Sequence, residues 1–384
     1  MLPAVLTSTF AAAVAYGVTF PHLATHLEAW GVSGELLGLN AAMPALGWFL
    51  GSFALPLLQA RFTTAIILVV SLLVAIVAWL GFFARADYGT WTALRFVFGG
   101  SVGLFFRTIE FGLNAASSDD RRGWTFGLYN LAFGLGIALG AALEPVLGED
   151  GSIPAVVVAG GFAVAALAAS RLRSDIVTVA ERPTLEGWLG AARRAPLPLL
   201  AGLAYGFVED IPAYLLSIYA LRNGLGSEVA AYTLTAAALG SITLPLALGI
   251  LADRAGRRFV LLVASLGAAA TAAVIPFALA SSWVFLTAIA VWTGFGAALY
   301  TTGLAIVGDT WPRDGLSTAN AAFGATYATG GLIGPLVNGA AIDLLSSHGL
   351  MVSAAAVPAL LALVLAVAAD GSSRRLRPRP APKA

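Results

Sequence analysis

Long apolar runs alternate with short polar or Gly- and Pro-containing breaks along the whole chain. Each run has about 20 residues or more, the length that an α-helix needs to cross the hydrocarbon core of a bilayer. The runs predict twelve membrane-spanning helices at 3–26, 34–58, 63–84, 91–116, 124–147, 153–170, 196–221, 228–251, 259–280, 283–308, 319–344 and 350–370. The pattern therefore favours an all-α membrane protein. No basic segment precedes the first run, so we interpret it as a retained helix rather than a cleaved signal peptide.

The composition agrees with a membrane location for most of the chain. Of its 384 residues, 59% are hydrophobic and 11% are charged, and the mean hydropathy is +0.87. Soluble domains average about 25% charged residues, so much of this chain is unsuited to water. The absence of cysteine excludes disulfides and thiolate metal sites. The sequence contains no phosphate-binding loop, catalytic triad or metal-hydrolase motif, so we expect neither an enzyme nor a cofactor.

The positions of the basic residues predict the orientation of the helices. Loops on the cytoplasmic side of a membrane carry an excess of Lys and Arg. If both termini are cytoplasmic, seventeen of the 21 basic residues lie in cytoplasmic segments and only Arg85 and Arg222 lie outside. Arg95 and Arg107 fall inside the fourth span. We therefore predict a multi-pass protein of the cell inner (cytoplasmic) membrane with both termini in the cytoplasm.

The longest connection, over 170–196, divides the chain into two halves. We predict an amino-terminal six-helix bundle (1–170), a cytoplasmic linker (171–195), a carboxy-terminal six-helix bundle (196–370) and a basic cytoplasmic tail (371–384). Within the linker, residues 184–194 are compatible with either a short interfacial helix or a solvated connection.

The two halves also share short sequence matches. "AYG" at 15–17 recurs at 204–206, and "GS-x-x-LPL" at 51–57 recurs at 240–246, both with an offset of 189. Farther on, the offset grows to about 195: Gly99 then matches Gly294, and Gly136 and Gly140 lie close to Gly330 and Gly334. Repeated halves around a central site are typical of secondary transporters.

The most specific motif is "GILADRAGRRFVLL" at 249–262, between the eighth and ninth spans. It resembles the signature G-x-L-A-D-R-x-G-R-[RK] of the major facilitator superfamily. The resemblance implies twelve helices in two pseudo-symmetric six-helix bundles that transport a solute by alternating access. It also implies that this loop acts as a conformational latch, formed here by Gly249, Asp253, Arg254, Gly256, Arg257 and Arg258.

Within the latch we expect Asp253 to pair with Arg257 and to lie near the positive N-terminus of a neighbouring helix. Gly256 is expected to permit a sharp turn. The corresponding junction of the first half, "LPLLQARFTTAIIL" at 55–68, departs from the signature, because it has Arg61 alone and no acid. The latch is therefore predicted to be one-sided.

Two weaker motifs accompany the signature. "RFVFGGSVG" at 95–103 resembles a family motif that is associated with proton coupling, and we group its Arg95 with the latch. The glycines Gly127, Gly136 and Gly140 of the fifth span have the spacing of the family's antiporter motif, although Ala141 replaces the expected Pro. Glycines at a spacing of four also allow close helix packing in any membrane protein.

The resemblance implies that the first, fourth, seventh and tenth helices line a central cavity. In the fourth span, Arg107, Glu110 and Asn114 are three or four residues apart and therefore share one helix face. One hypothesis is that Arg107 orients an anionic substrate group while Glu110 takes up a proton. The alternative is a structural Arg107–Glu110 pair that neutralises itself.

The seventh span contains "AYGFVEDIPAYLLSIYA" at 204–220, with Glu209 and Asp210 near the middle of the membrane. Ionisable residues at such a depth are functional candidates. Adjacent helical residues point about 100° apart, which places Asp210 with Tyr214 and Glu209 with Tyr205. Pro212 predicts a local kink.

Burial and a like-charged neighbour both favour the neutral form of a carboxyl group. Our hypothesis is therefore that Glu209 or Asp210 binds and releases a proton as the halves open and close. The alternative is permanent pairing with Arg107 or Arg95.

Aromatic residues on the cavity helices are candidates for substrate contacts or for packing; they are Tyr16, Tyr205, Tyr214 and Tyr300. His22 and His26 are four residues apart, but with no cysteine and few nearby acids we predict no metal site.

We interpret the chain as a proton-coupled secondary transporter of a small organic solute, with a lean toward export (antiport) from the fifth-span glycines. A proton symporter that imports an anionic or zwitterionic nutrient is the first alternative, and a lipid flippase is the second. The expected partners are the substrate, protons and the lipid bilayer, with no nucleic acid, and the expected state is a monomer.

Overall fold

The structure is a computed structural model that describes residues 2–116, 119–148, 152–172, 185–311 and 313–375. Residues 173–184 of the predicted linker and 376–384 of the predicted tail lie outside these residues. The side chain of Asn114, one of the predicted substrate contacts, lies outside the described part as well.

The described residues form fifteen helices. Those of the first half are α1 (Leu2–Ala29), α2 (Gly34–Gln59), α3 (Thr64–Ala84), α4 (Tyr88–Ala116), α5 (Asp119–Leu147) and α6 (Ser152–Ala169). The linker helix is α7 (Leu185–Arg194). Those of the second half are α8 (Pro196–Glu209), α9 (Ile211–Tyr214), α10 (Leu216–Arg222), α11 (Ser227–Ala255), α12 (Arg257–Ala278), α13 (Ser282–Thr310), α14 (Arg313–Leu344) and α15 (Gly349–Arg375).

These helices confirm the predicted all-α class, since no strand occurs within the described ranges. Nine helices of the described part are each long and apolar enough to cross a membrane, and the bent series α8 to α10 supplies a tenth. α2 and α14 coincide with the second and eleventh predicted spans and bring the number to twelve. Of the two alternatives left open for 184–194, the structure shows a helix, α7, which packs against α14.

The seventh crossing is broken in its middle. α8 ends at Glu209, α9 is a single turn that begins after Asp210, and α10 begins after Leu215. Pro212 has no N–H to donate to the carbonyl of Val208, one turn earlier, so the regular hydrogen-bond ladder is interrupted there. The interruption next to Pro212 lies at Asp210, beside Glu209, whereas the 56° bend of this crossing lies three residues after Pro212, at Leu215, between Pro196–Tyr214 and Leu216–Arg222.

The two halves pack their helices in equivalent pairs. In the first half, α1 lies on α5, and a Cβ added to Gly17 would be 3.1 Å from Cα of Gly140. In the second half, α8 lies on α14, and a Cβ added to Gly206 would be 3.0 Å from the backbone nitrogen of Gly331. Gly17 and Gly206 are the glycines of the repeated "AYG". The repeat therefore marks the same close backbone approach in both halves.

Helix ends at the two membrane surfaces carry local caps. The Asp87 Oδ1 accepts a hydrogen bond from the backbone N–H of Thr90 at 2.9 Å, where α4 begins. This backbone hydrogen bond holds the pKa of the Asp87 carboxyl below its ordinary value. At the opposite membrane surface, Gly256 caps the C-terminus of α11. Its φ of +93° lies in the region that only glycine adopts readily. This is the turn expected of the latch glycine.

The fifth-span glycines allow a direct test of close packing. A Cβ on Gly140 would meet the Val14 carbonyl oxygen and would lie 2.9 Å from the Val18 nitrogen, whereas nothing lies within 4 Å of one on Gly127. We expect Gly140→Ala to lower the free energy of unfolding by about 1–3 kcal/mol, because the backbones must separate. Gly127→Ala, in the same helix, is expected to be neutral or stabilising by up to about 1 kcal/mol.

The measurement is the apparent melting temperature of each purified variant in one detergent. Equal melting temperatures for the two variants would contradict the packing role.

Candidate substrate and proton site

Glu209 lies at the helix break and is held by two tyrosine hydroxyl groups. The hydroxyl of Tyr205, one turn earlier in α8, donates to Glu209 Oε1 at 3.2 Å. The hydroxyl of Tyr327, from α14, donates a short hydrogen bond to Oε2. Glu209 and both tyrosines are partly buried. The carboxylate therefore connects the broken helix to α14 through neutral donors.

Three tyrosine rings form a cluster beside this carboxylate. The rings of Tyr205 and Tyr327 are stacked, with centroids 5.9 Å apart and an angle of 16° between their planes. The ring of Tyr300, from α13, is tilted toward Tyr205 at 5.6 Å and meets Tyr327 edge-on at 5.3 Å. We call these three residues the tyrosine cluster. It brings together Tyr205 and Tyr300, two of the predicted substrate contacts, and Tyr205 also contacts Glu209.

Asp210 faces a different part of the molecule from Glu209. Its Oδ2 would be 3.9 Å from a Cβ on Gly331, so the carboxylate faces the small-residue surface of α14. Asp210 also interacts electrostatically with Tyr16 and Tyr214. The two adjacent acids therefore point in different directions, as expected for neighbours on a helix.

Tyr16 and Tyr214 connect the two halves at the level of Glu209 and Asp210. Their hydroxyl oxygens are 3.3 Å apart, which links α1 to α9. The Arg95 guanidinium lies over the Tyr214 ring, 4.8 Å from its centroid, and Arg95 is 3% exposed. A guanidinium over an aromatic face is a favourable cation–π contact. Arg95 therefore contacts the second half through a ring rather than through a carboxylate.

The first half contributes a second charged group. Arg107 Nη1 and Glu110 Oε2 are 3.7 Å apart on α4, and their side chains are 44% and 35% exposed. The Tyr129 hydroxyl of α5 donates to Glu110 Oε1 at 3.2 Å. Tyr300 interacts electrostatically with both members of the pair, which places them on the side facing the tyrosine cluster.

The ion pairs discriminate between the two interpretations of the seventh-span acids. Among residues that the structure describes, no ion pair includes Glu209 or Asp210, while Arg107 pairs with Glu110. The permanent clasp by Arg107 or Arg95, which was the alternative interpretation, is therefore not found in this conformation.

A charged network closes the end of the molecule that is remote from α7. The Arg222 Nε donates to both oxygens of Glu28 at 3.0 and 2.9 Å, and its Nη2 donates to the Val32 carbonyl at 2.9 Å. Arg222 Nη1 also lies 3.9 Å from Asp343 Oδ1. We call Arg222, Glu28 and Asp343 the remote gate, since they tie α10 and α14 to α1.

Asp343 also caps a helix of the opposite half. Its Oδ2 accepts a hydrogen bond from the Glu35 backbone N–H at 3.0 Å, in the first turn of α2. A carboxylate is favourable there because helix N-termini carry partial positive charge. Close approach of α2 and α14 makes this possible: a Cβ on Gly38 would be 3.0 Å from Cα of Gly339.

The latch loop differs from the expectation in one contact. We expected Asp253 to pair with Arg257, but Arg257 Nε instead contacts Asp309 Oδ2 of α13 at 2.9 Å, and Asp253 is exposed. The geometric reason is that Gly256 turns the chain between α11 and α12, so Arg257 starts a new helix beside the end of α13. Nearby, Arg194 of α7 donates to the Thr310 carbonyl at 3.3 Å and lies over the Trp311 ring.

Other latch residues are placed as follows. Arg254, Arg258 and Gly249 are exposed on the surface. They therefore lie apart from Arg95, which is buried between the halves.

Several residues of the site were missed from sequence. They are Tyr327, Tyr129, Glu28, Asp343 and Asp309. Each lies on a helix far along the chain from its partner, so no spacing rule connects them. Tyr327 had one usable signal: it falls three residues before Gly330, in a span that the repeat aligns with the glycine-rich fifth span.

Comparisons with known proteins agree with this arrangement of helices. The family model of the Major Facilitator Superfamily matches residues 5–234 and 198–384. The chain therefore belongs to the major facilitator superfamily, and it is a multi-pass membrane transporter rather than an enzyme.

A relative from Bacillus subtilis (strain 168), described as the uncharacterized MFS-type transporter YfkF, is 29% identical over 337 residues, 84% of each chain. A variant of the nucleoside transporter NupG is similar in structure, with a TM-score of 0.80 and 12% identity over 95% of this chain and 99% of that one. The D-xylose-proton symporter is similar with a TM-score of 0.72 and 14% identity over 94% and 95% of the two chains. These two likenesses confirm the predicted twelve-helix fold and carry no information on substrate.

The remote gate predicts a change in conformational populations. A bidentate, partly buried pair of this kind contributes roughly 1–2 kcal/mol, which corresponds to about a 5- to 30-fold change in a two-state ratio. Arg222→Ala should therefore increase the population that is open at the remote end. Because the chain has no cysteine, spin labels at Leu36→Cys and Leu344→Cys, both exposed, report this opening as a longer interlabel distance.

Arg85→Ala is the matched control, because Arg85 pairs with Asp87 in a loop at the same end but within one half. The gate assignment is wrong if Arg85→Ala and Arg222→Ala give the same distance distribution.

Proposed function

We propose that the protein is a proton-coupled secondary transporter of a small organic solute, with Glu209 as the main proton-binding group. The supporting observation is the Glu209 carboxylate at a helix break inside the membrane, held by two tyrosine hydroxyls and by no arginine among the described residues.

The first argument concerns the charge of this group. An ionised carboxylate inside a bilayer costs at least a few kcal/mol, and hydrogen bonds from Tyr205 and Tyr327 offset part of that cost. Protonation removes the charge altogether. A group held by neutral donors can change its protonation state without leaving an arginine buried and unpaired, which would be costly. Glu209 is therefore suited to cycle between two charge states.

The second argument concerns coupling to the bundles. Protonation of Glu209 changes its bond with Tyr327, so it alters the contact between α8 and α14. α14 also carries Asp343 of the remote gate. One helix therefore contacts both the proton site and the gate, and a change in its position reaches both.

The third argument concerns the state of the structure. The polar contacts between the halves are concentrated in the middle of the membrane and at the remote gate, while Arg107 and Glu110 are substantially exposed. We assign the remote end to the outside, as the distribution of arginines predicts. The structure then corresponds to a cytoplasm-facing state with its outer gate closed.

We propose antiport, and therefore export, as the direction. The glycine spacing of α5 favoured it, although Gly136 and Gly140 also serve close packing with α1. Proton symport with an anionic nutrient is the second candidate, because the Arg107 side chain is 44% exposed and could meet such a substrate.

The proton role of Glu209 predicts a loss of pH dependence. We expect the Leu36→Cys/Leu344→Cys distance distribution to change with pH, because protonation removes the charge of the Glu209 carboxylate and changes its bond with Tyr327. Glu209→Gln should hold one distribution at every pH, because a permanently neutral amide mimics the protonated acid. Asp210→Asn tests the second acid in the same way.

Glu228→Gln provides the control, since Glu228 is exposed in the first turn of α11. If Glu209→Gln and Asp210→Asn both retain the full pH response, the proposal that the seventh crossing couples transport to protons is wrong.

A further inference from the structure

The tyrosine cluster and Glu209 together have the chemistry of a cation site. Three electron-rich faces lie beside a carboxylate, and their centroids are all within 5.9 Å of one another. A cation near aromatic rings is attracted when it lies within about 6 Å of a centroid. At these spacings the rings pack against one another, so a cation would lie over the outer face of one ring, beside the carboxylate, rather than between two rings.

The charges around the tyrosine cluster also favour a cation as the ligand. Arg107 is paired with Glu110, so these two charges largely cancel. Arg95 is buried, and its guanidinium lies over the Tyr214 ring rather than beside either carboxylate of the seventh crossing. Glu209 and Asp210 then remain without a basic partner among the described residues. The seventh crossing therefore presents an excess of negative charge when its acids are ionised.

We propose that the transported solute is an organic cation, an amine or quaternary ammonium with an apolar or aromatic body, bound between Glu209 and the tyrosine cluster. This inference rests on the proposed function and specifies its substrate class. An anionic solute would add charge of the same sign beside the two acids, whereas a cation compensates it.

The same geometry accounts for exchange with protons. The titratable groups that face Glu209 are Tyr205 and Asp210 on its own crossing, Tyr327 on α14 and Tyr300 on α13. Arg107 and Glu110 also face the cluster from α4, but they form an ion pair with each other. A single positive charge, either a proton or the organic cation, therefore neutralises Glu209. The two cations compete for one carboxylate, and this competition is the physical requirement for antiport.

The test uses two probes of the same shape and opposite charge, the tetraphenylphosphonium cation and the tetraphenylborate anion. Binding to the purified full chain is measured by calorimetry, with a detergent blank, at several pH values. We expect the cation to bind at least tenfold more tightly than the anion. Its affinity should fall as the pH is lowered, by up to tenfold per pH unit where Glu209 titrates, because protons occupy the same group.

Variants separate the carboxylate from the rings. Glu209→Gln should weaken cation binding at least tenfold and remove its pH dependence. Tyr300→Leu, which removes a ring, should weaken binding severalfold, whereas Tyr300→Phe keeps the aromatic face and should bind within about threefold of the parent. Glu228→Gln is the control for a remote acid. Melting temperatures of all variants check that each is folded.

The outcomes distinguish this proposal from the proposed function. Equal binding of the two probes, tighter binding of the anion, or cation binding unchanged in Glu209→Gln overturns the cation site, while pH-dependent opening through Glu209 would still support proton coupling. Cation binding that requires Glu209 but does not depend on pH supports the cation site and overturns proton competition. An equal loss in Tyr300→Leu and Tyr300→Phe, with both folded, overturns the role of the ring face.

Discussion

The arrangement of this transporter depends on how a carboxylate is accommodated in the middle of a membrane. Pro212 interrupts the seventh crossing, and the break leaves Glu209 at the end of α8, where two tyrosine hydroxyls reach it. Each hydrogen bond to a charged group contributes about 1.5–3 kcal/mol, comparable with the cost of placing an acid in the bilayer. This balance between the two terms is what the proposed proton role of Glu209 requires.

Close helix packing makes the arrangement possible. Tyr327 reaches Glu209 because α8 and α14 approach at Gly206 and Gly330, where any side chain would meet backbone atoms. The first half uses the same device at Gly17 and Gly140, yet it has no acid at the equivalent place. The two halves therefore share the same close helix packing, but only the second half has an acid at this position. This asymmetry agrees with the latch signature, which is complete only in the second half.

Features that depend on residues close together in the sequence were predictable, whereas contacts between helices that are distant in the sequence were not. Helices, the interruption of the seventh crossing next to Pro212 and the turn at Gly256 were predictable because each depends on residues within one or two turns. The Glu209–Tyr205 contact was predictable for the same reason, since the two residues are one turn apart. Tyr327, Asp343 and Asp309 were not, because their partners lie on other helices and only the packed structure brings them together. The expected Asp253–Arg257 pair was wrong for the same reason. It was inferred from residues close together in the sequence, but Arg257 pairs with Asp309 of a neighbouring helix.

α14 unites the features that alternating access requires. Toward the middle of the membrane it supplies Tyr327 to the carboxylate and Gly331 to the face of Asp210. At the remote end its Asp343 contacts both Arg222 and the first turn of α2. Between these two positions α14 contains Pro335, which removes one backbone hydrogen bond and favours a kink. In the proposed mechanism, a change in charge at Glu209 would therefore reach the remote gate through a single helix that has a hinge position between the two sites.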